Sequence, residues 1–287
     1  MVEWPAAWRG HSALALTSDL ARVVMLPEAG AKIASLIVAG REMLWRNPHI
    51  PIRGASYGDR YRDYGASGID FCFPTIAPCT LAHLPGHRME VPDHGEVWTL
   101  PWEVEVLAEG VRLCTTGRCW PYRLCTEVSL AGSSLTIRAH LENLGDDWFP
   151  YQWALHPAFP LTDETRLTWP GTGLVEVDDR LLNLRTPGLT SLGFVAKVFV
   201  GPLSQGAATL SQEYGRVHLQ WDAQALPYLG VWISHEDETQ PGGRCCLAVE
   251  PSAAPDDSLA AAHAAGQAPI IGPRQAREWQ VRLAFES

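Results

Sequence analysis

The sequence predicts an all-β protein, a large antiparallel sandwich with one or two short helices. Three observations point to it: apolar and polar residues alternate at period two along much of the chain, turn residues interrupt the runs often, and only one segment has helical character. Trp102, Val104 and Val106 alternate with Glu103 and Glu105. Leu135, Ile137, Ala139 and Leu141 alternate with Thr136, Arg138, His140 and Glu142, the cleanest case. Val217, Leu219 and Trp221 do so against His218 and Gln220, and Trp279, Val281, Leu283 and Phe285 against Gln280, Arg282 and Glu286. Alternation of this kind marks half-buried antiparallel strands, and 25 glycines with 22 prolines cut them short. The helical segment is the Ala-rich run Ser258 to Ala265, with Asp257 placed to cap it and Gly266 to stop it. At that length it survives only if docked on the sheets. Arg53 to Gly68 is the least strand-like stretch and reads as a long loop, a feature that in compact domains is often functional. With no repeat, linker or low-complexity stretch, residues 1–287 are expected to form a single domain.

Composition bounds the partners. A content of 46% hydrophobic and 19% charged residues is that of a globular chain. No apolar run approaches the roughly 20 residues that cross a bilayer, and Met1-Val2-Glu3-Trp4 lacks the basic-then-apolar start of a signal peptide, so a cytoplasmic location is expected. A net charge of −10 argues against nucleic acid and anionic membrane as partners. Only two lysines occur, Lys32 and Lys197, so phosphate recognition would rest on arginine. The seven cysteines include no C-x-x-C pair and read as reduced thiols. Nucleotide fingerprints, the G-x-S-x-G elbow and H-E-x-x-H are all missing, so no cofactor and no metal is expected.

The remaining chemistry sits at strand ends. His156 precedes Pro157, which holds it in extended geometry, and an imidazole can give or take a proton near neutral pH. The competing reading is a buried histidine bonded within an aromatic core. Glu250 closes the apolar run Cys246 to Val249 and is followed by Pro251. A carboxylate there is poorly solvated and becomes a better base once a hydroxyl approaches; the alternative is an edge glutamate paired with an arginine. His94, in Pro92-Asp93-His94-Gly95-Glu96, sits in a tight turn that delivers its ring to a cleft or simply to solvent. A metal set drawn from His83, His87, His94 and Glu96 is opposed by Pro85-Gly86, which prevents a helical spacing. Asp70, inside an apolar stretch, needs a partner, either a sugar hydroxyl or an arginine such as Arg60 or Arg62. Of the 12 tryptophans most must be core, and Trp232 is the candidate for stacking on a sugar face.

In order along the chain, these pieces resemble the aldose 1-epimerase (mutarotase) family of the galactose mutarotase-like superfamily. Gly30 to Leu36 resembles that family's opening hairpin, and Gly68 to Pro74 its segment at the cleft. Asp93-His94-Gly95-Glu96 with Trp98 resembles its first histidine motif, and Leu155-His156-Pro157-Ala158-Phe159 its second. Val249-Glu250-Pro251, a short helix, Gly272-Pro273 and the terminal strand resemble its closing section. The resemblance implies a large β-sandwich with an open cleft and no metal, His156 as general acid, Glu250 as general base and His94 as a partner of the substrate. In mutarotation a base removes the anomeric proton, an acid protonates the ring oxygen, the C1–C2 bond rotates and closure gives the other anomer. Arg53, Arg60 and Arg62 could read hydroxyls or a sugar phosphate, and the chain would work as a monomer or homodimer. Two other classes compete: a non-catalytic sugar-binding protein on the same scaffold, which needs neither acid nor base, and a glycosidase or lyase with Asp70 and Glu250 as opposed carboxylates.

Overall fold

The computed structural model describes residues 1–84, 87–171, 174–177, 180–183, 193–240 and 242–286, the side chains of 83, 84, 87, 174–177 and 180–183 excepted. Strands account for 54% of the described residues and helix for 6%. Among the described residues two large sheets dominate. The ten-stranded sheet runs Val2–Trp8, His11–Thr17, Ala21–Leu26, Lys32–Val38, Ile69–Cys72, Ala154–Pro160, Cys245–Ser252, Tyr228–His235, Phe194–Val200, with Arg41–Glu42 appended to Lys32–Val38. The eight-stranded sheet runs Arg166–Thr168, Gly206–Gln212, Gly215–Trp221, Ala276–Glu286, Ser134–Asn143, Tyr122–Ala131, Gly110–Thr116, Glu103–Leu107. Neighbours within both sheets pair antiparallel, and short turns join several of those that are consecutive in sequence. Tyr122–Ala131 and Ser134–Asn143, for example, are joined through Gly132, whose φ of 55° suits a two-residue hairpin.

The alternation read from the sequence becomes the core. Leu135, Ile137, Ala139 and Leu141 are buried, as are Trp279, Val281, Leu283 and Phe285 on the adjacent strand, and all join one cluster with Phe71, Leu155 and Val249 of the larger sheet. Trp153 and Trp279 meet edge to face at 5.3 Å within it. Val106 departs from expectation: it is 51% exposed, because Glu103–Leu107 is the edge strand and leaves the core's cover after Val104. The helix is Leu259–Ala264, and its cap is Ser258, whose hydroxyl accepts from the Ala261 N–H, rather than Asp257. The cysteines also differ from the reduced set expected. Cys114 and Cys125 are direct cross-strand partners with Cα atoms 4.1 Å apart and are joined as a disulfide. No helix among the described residues is long and apolar enough to cross a membrane.

Candidate active site

Strand register assembles the site. At the middle of the larger sheet Ile33 lies opposite Ile69, Asp70 opposite His156, and Glu250 opposite Gly230. The pairs Ala154–Ser252 and Ala158–Ala248 place His156 level with Glu250. Side chains alternate across a sheet, so Lys32, Asp70, His156 and Glu250 project from one face. Ile69, Phe71, Leu155 and Val249 project from the other into the core. The result is a row of ionisable groups across four adjacent strands, each brought in from a distant part of the chain.

Asp70 is 1% exposed and receives hydrogen bonds from the Lys32 ammonium and, at 2.6 Å, from the Tyr61 hydroxyl. Its partner is therefore a lysine, not Arg60 or Arg62, and it lies beneath the cleft wall rather than in the cleft. One register step from the Ile33–Ile69 pair, Lys32 falls opposite Asp70, and it also donates to the Ser67 carbonyl at 2.8 Å. Arg60 instead reaches Asp63 at 3.9 Å, and Arg62 reaches Glu236 at 3.8 Å with its side chain 66% exposed at the cleft rim. Tyr61 comes from the long loop, which winds into a 3-10 turn over Tyr61–Tyr64. Burial, then the charge of Asp70, pushes the Tyr61 phenol well above its ordinary value, so it stays a donor.

His94 is set by the turn the sequence indicates. Gly95 N–H bonds the Pro92 carbonyl at 3.0 Å, and the turn is stitched to the Phe73–Ile76 segment by His94 N–H to Ile76 and Glu96 N–H to Phe73. His94 adopts a φ of 57° and Gly95 of 72°, and a β-carbon at Gly95 would collide with the Phe73 carbonyl. The His94 ring stacks on Tyr61 at 3.8 Å, and its Nδ1 donates to Asp93 at 2.8 Å. Burial raises Asp93, but the bonds from His94 and from the Tyr61 and His94 backbone outweigh it and hold that carboxyl below the usual range. Glu96 cannot serve a metal with His94. It is fully buried and accepts from the Arg118 and Cys119 N–H groups and the Tyr122 hydroxyl. The side chains of His83 and His87 lie outside the described residues.

His156 Nε2 stands 3.7 Å from Glu250 Oε1. His156 is 3% exposed, and burial, then the nearby His94 and Lys197, holds its imidazole well below the ordinary histidine value. It is thus neutral at rest. Glu250 is fully buried and clamped by Lys197, whose Nζ donates to Oε1 at 2.7 Å and Oε2 at 2.6 Å. Gly230 opposite leaves the room this carboxylate occupies, since a β-carbon there would press on Glu250 Cβ at 3.3 Å. Lys197 also reaches Asp257 at 3.3 Å, which explains why Asp257 does not cap the helix. Burial works to strip the lysine of its proton, and Glu250 and Asp257 outweigh that and hold it above its ordinary value.

His156, His94, Trp232 and Arg62 line one cleft of about 180 Å³, together with Tyr61, Lys197 and Asp257. Trp232 lies 5.8 Å from His156 and carries the Arg244 guanidinium over its ring at 5.0 Å. Of the residues singled out in the sequence, four reach the cleft, Glu250 lies directly under it and Asp70 supports it from below. Lys197 and Tyr61 were missed. The signal for Lys197 was present: the chain's two lysines each interrupt an apolar strand, as in Val195-Ala196-Lys197-Val198-Phe199.

Two antiparallel sheets closed on one core, with a polar cleft on the outer face of the larger, form the galactose mutarotase-like class of fold. Solved structures of this shape agree over almost the whole chain. A protein of Synechocystis sp. PCC 6803 is 19% identical with a TM-score of 0.73, covering 99% of each chain. The galactose mutarotase related enzyme of Lactobacillus acidophilus is 14% identical with a TM-score of 0.72, covering 96% of this chain and 97% of its own. A galactose mutarotase-like protein of Lactobacillus casei is 14% identical with a TM-score of 0.71, covering 96% and 100%. At such identities they speak for the fold alone. No curated protein matches the sequence. The family model described as aldose 1-epimerase matches residues 12–257, and the chain belongs to that family.

Proposed function

We propose that this protein is an aldose 1-epimerase, an isomerase that interconverts the α and β anomers of an aldose by opening and closing its ring. The observation that carries this reading is the approach of His156 Nε2 to Glu250 Oε1, 3.7 Å, at the floor of a cleft walled by a tryptophan and polar side chains. A stacking face and several hydrogen-bonding groups suit a pyranose, and a histidine–carboxylate pair suits proton transfer at its anomeric centre. The resemblance alone would make His156 the acid. Held neutral by burial, His156 is instead ready to accept the anomeric O1–H proton, and Glu250 beside it stabilises the imidazolium that forms. His94, fixed by Asp93 and Tyr61, positions the sugar, while Trp232 and Arg62 bound it at the rim.

Polarimetry or exchange NMR on freshly dissolved α-glucose and α-galactose, corrected for uncatalysed mutarotation, tests this. His156→Ala and Glu250→Gln should each slow anomer exchange by about 10²–10⁴-fold, the worth of a positioned proton-transfer group. The double variant should be little slower than either single, because the pair acts as a unit. Wild-type rates in both single variants would remove these residues from the mechanism. Sugar binding without acceleration would make the protein a non-catalytic binder on this scaffold.

A further inference from the structure

We propose that Asp70 is a positioning residue for His156: through one bridging water its Oδ1 takes the His156 Nδ1–H, which holds the imidazole in the tautomer whose Nε2 serves the sugar. The bridge and the tautomer are argued from the sheet alone; their consequence for rate rests on the aldose 1-epimerase reading.

His156 is the middle residue of three. Its strand runs between Ile69–Cys72 and Cys245–Ser252, with Asp70 directly opposite on one side and Glu250 level with it on the other. Nε2 is turned to the Glu250 side, 3.7 Å from Oε1. Nδ1, across Cε1 of the same ring, is buried and has no hydrogen-bond partner among the described residues. Asp70 has the complementary need. Lys32 and Tyr61 both donate to its Oδ2. Oδ1 is buried and, among the described residues, equally without a donor.

A buried ring nitrogen and a buried carboxylate oxygen each call for a partner, and here one can donate and the other accept. Glu250 does not compete for Nδ1, since Lys197 holds both of its oxygens. Directly paired residues on antiparallel strands have Cβ atoms about 4.5–5.5 Å apart, a spacing at which one water joins two short side chains that do not touch. Electrostatics agrees with the placement. Burial, then His94 and Lys197, draws the imidazole below its ordinary value, and the Asp70 charge is the strongest influence in the other direction.

The consequence is chemical. A neutral imidazole has a proton on one nitrogen only, and that nitrogen cannot accept another. Mutarotation runs both ways, so the nitrogen serving the sugar must be bare in one half of the cycle and protonated in the other. Nε2 can alternate in this way only if Nδ1 keeps its proton throughout. A carboxylate on the far side of the ring secures that.

Long-range ¹⁵N–¹H NMR of histidine-labelled protein at about pH 7 reads the tautomer directly, the His156 signals being identified by their loss in His156→Gln. The wild type should show Nδ1 protonated and Nε2 bare. In Asp70→Asn the amide oxygen takes the place of Oδ2 beneath Lys32 and Tyr61, which puts the NH2 group where Oδ1 stood and reverses the polarity of the bridge. The proton should move to Nε2, and kcat for anomer exchange should fall by about 10²–10⁴-fold while KM changes far less. Asp70→Asn combined with Lys32→Met makes the same reversal without stranding the lysine's charge, and should give the same tautomer and the same loss. An aspartate needed only for folding would leave the tautomer of the folded protein unmoved. A wild type with its proton on Nε2 would overturn the proposal whether or not either variant folds. So would a variant, folded by circular dichroism, that keeps Nδ1–H or a wild-type kcat. A wild type inert toward glucose, galactose, mannose and xylose that still shows the Asp70-dependent tautomer would support the bridge and overturn the functional reading.

Discussion

Both lysines of the chain are committed to buried carboxylates, Lys32 to Asp70 and Lys197 to Glu250. Such pairs cost desolvation to form, but removing one member leaves an uncompensated charge and destabilises by about 3–5 kcal/mol. Asp70→Asn should therefore lower the unfolding free energy measured in urea by that order, and adding Lys32→Met should recover much of the loss. His156 gives a second consequence. The folded protein resists protonating this imidazole, whereas the unfolded chain takes a proton near the ordinary value of 6.5. Below that pH the unfolded state binds more protons, so unfolding free energy falls with pH by up to about 1.4 kcal/mol per unit until the folded site titrates. Paired urea titrations at about pH 7 and 5 should show His156→Gln losing less stability on acidification than the wild type. Catalysis should follow the same group. Facing His94, Lys197, Asp70 and Glu250, His156 accepts protons only while neutral, so on acidification the exchange rate should hold until well below pH 6.5, and it should show no histidine-dependent loss from pH 7 to 9. A profile falling through neutral pH would return His156 to the role of acid.

Local elements were legible where one period or one turn decides them. The alternation at Leu135–Leu141 and Trp279–Phe285 needs no partner to be read, and the structure buries every one of those apolar residues. The turn at Asp93-His94-Gly95 was equally plain, as was the long loop that supplies Tyr61. What the sequence could not show is register. Asp70, His156 and Glu250 are far apart in the chain, and their alignment depends on strand order, which no local pattern records. Val106 and Asp257 failed for related reasons. One lies on an edge strand whose outer position only topology reveals, and the other is drawn to Lys197 from across the cleft. The histidine turn offers a direct check. Gly95→Ala would force a β-carbon against the Phe73 carbonyl at a positive φ, so the turn must shift and carry His94 with it. Weaker sugar binding is expected, read as a raised KM or Kd, with kcat less affected because His156 and Glu250 lie on strands the turn does not build.

At the scale of the molecule, one hydrophobic cluster draws on both large sheets, and this bears on whether the chain unfolds in one step. Phe71, Leu155 and Val249 enter it from the ten-stranded sheet, Leu141, Val281 and Trp279 from the eight-stranded one. Tyr151 stacks on Trp279 at 6.1 Å, and Trp153 meets it at 5.3 Å. Neither sheet can lose this contact without exposing the inner face of the other, so the two should unfold together despite a length at which intermediates are common. Far-ultraviolet circular dichroism reports strand content in both sheets, while tryptophan fluorescence weights the interface. Under urea the two signals should trace one transition. Trp279→Ala, which removes a large buried side chain from the smaller sheet, should move both midpoints down together by the equivalent of about 3–5 kcal/mol. If fluorescence moved and the circular dichroism transition split in two, the sheets would be separate cooperative units, and the cleft on the larger one would not depend on the smaller for its shape.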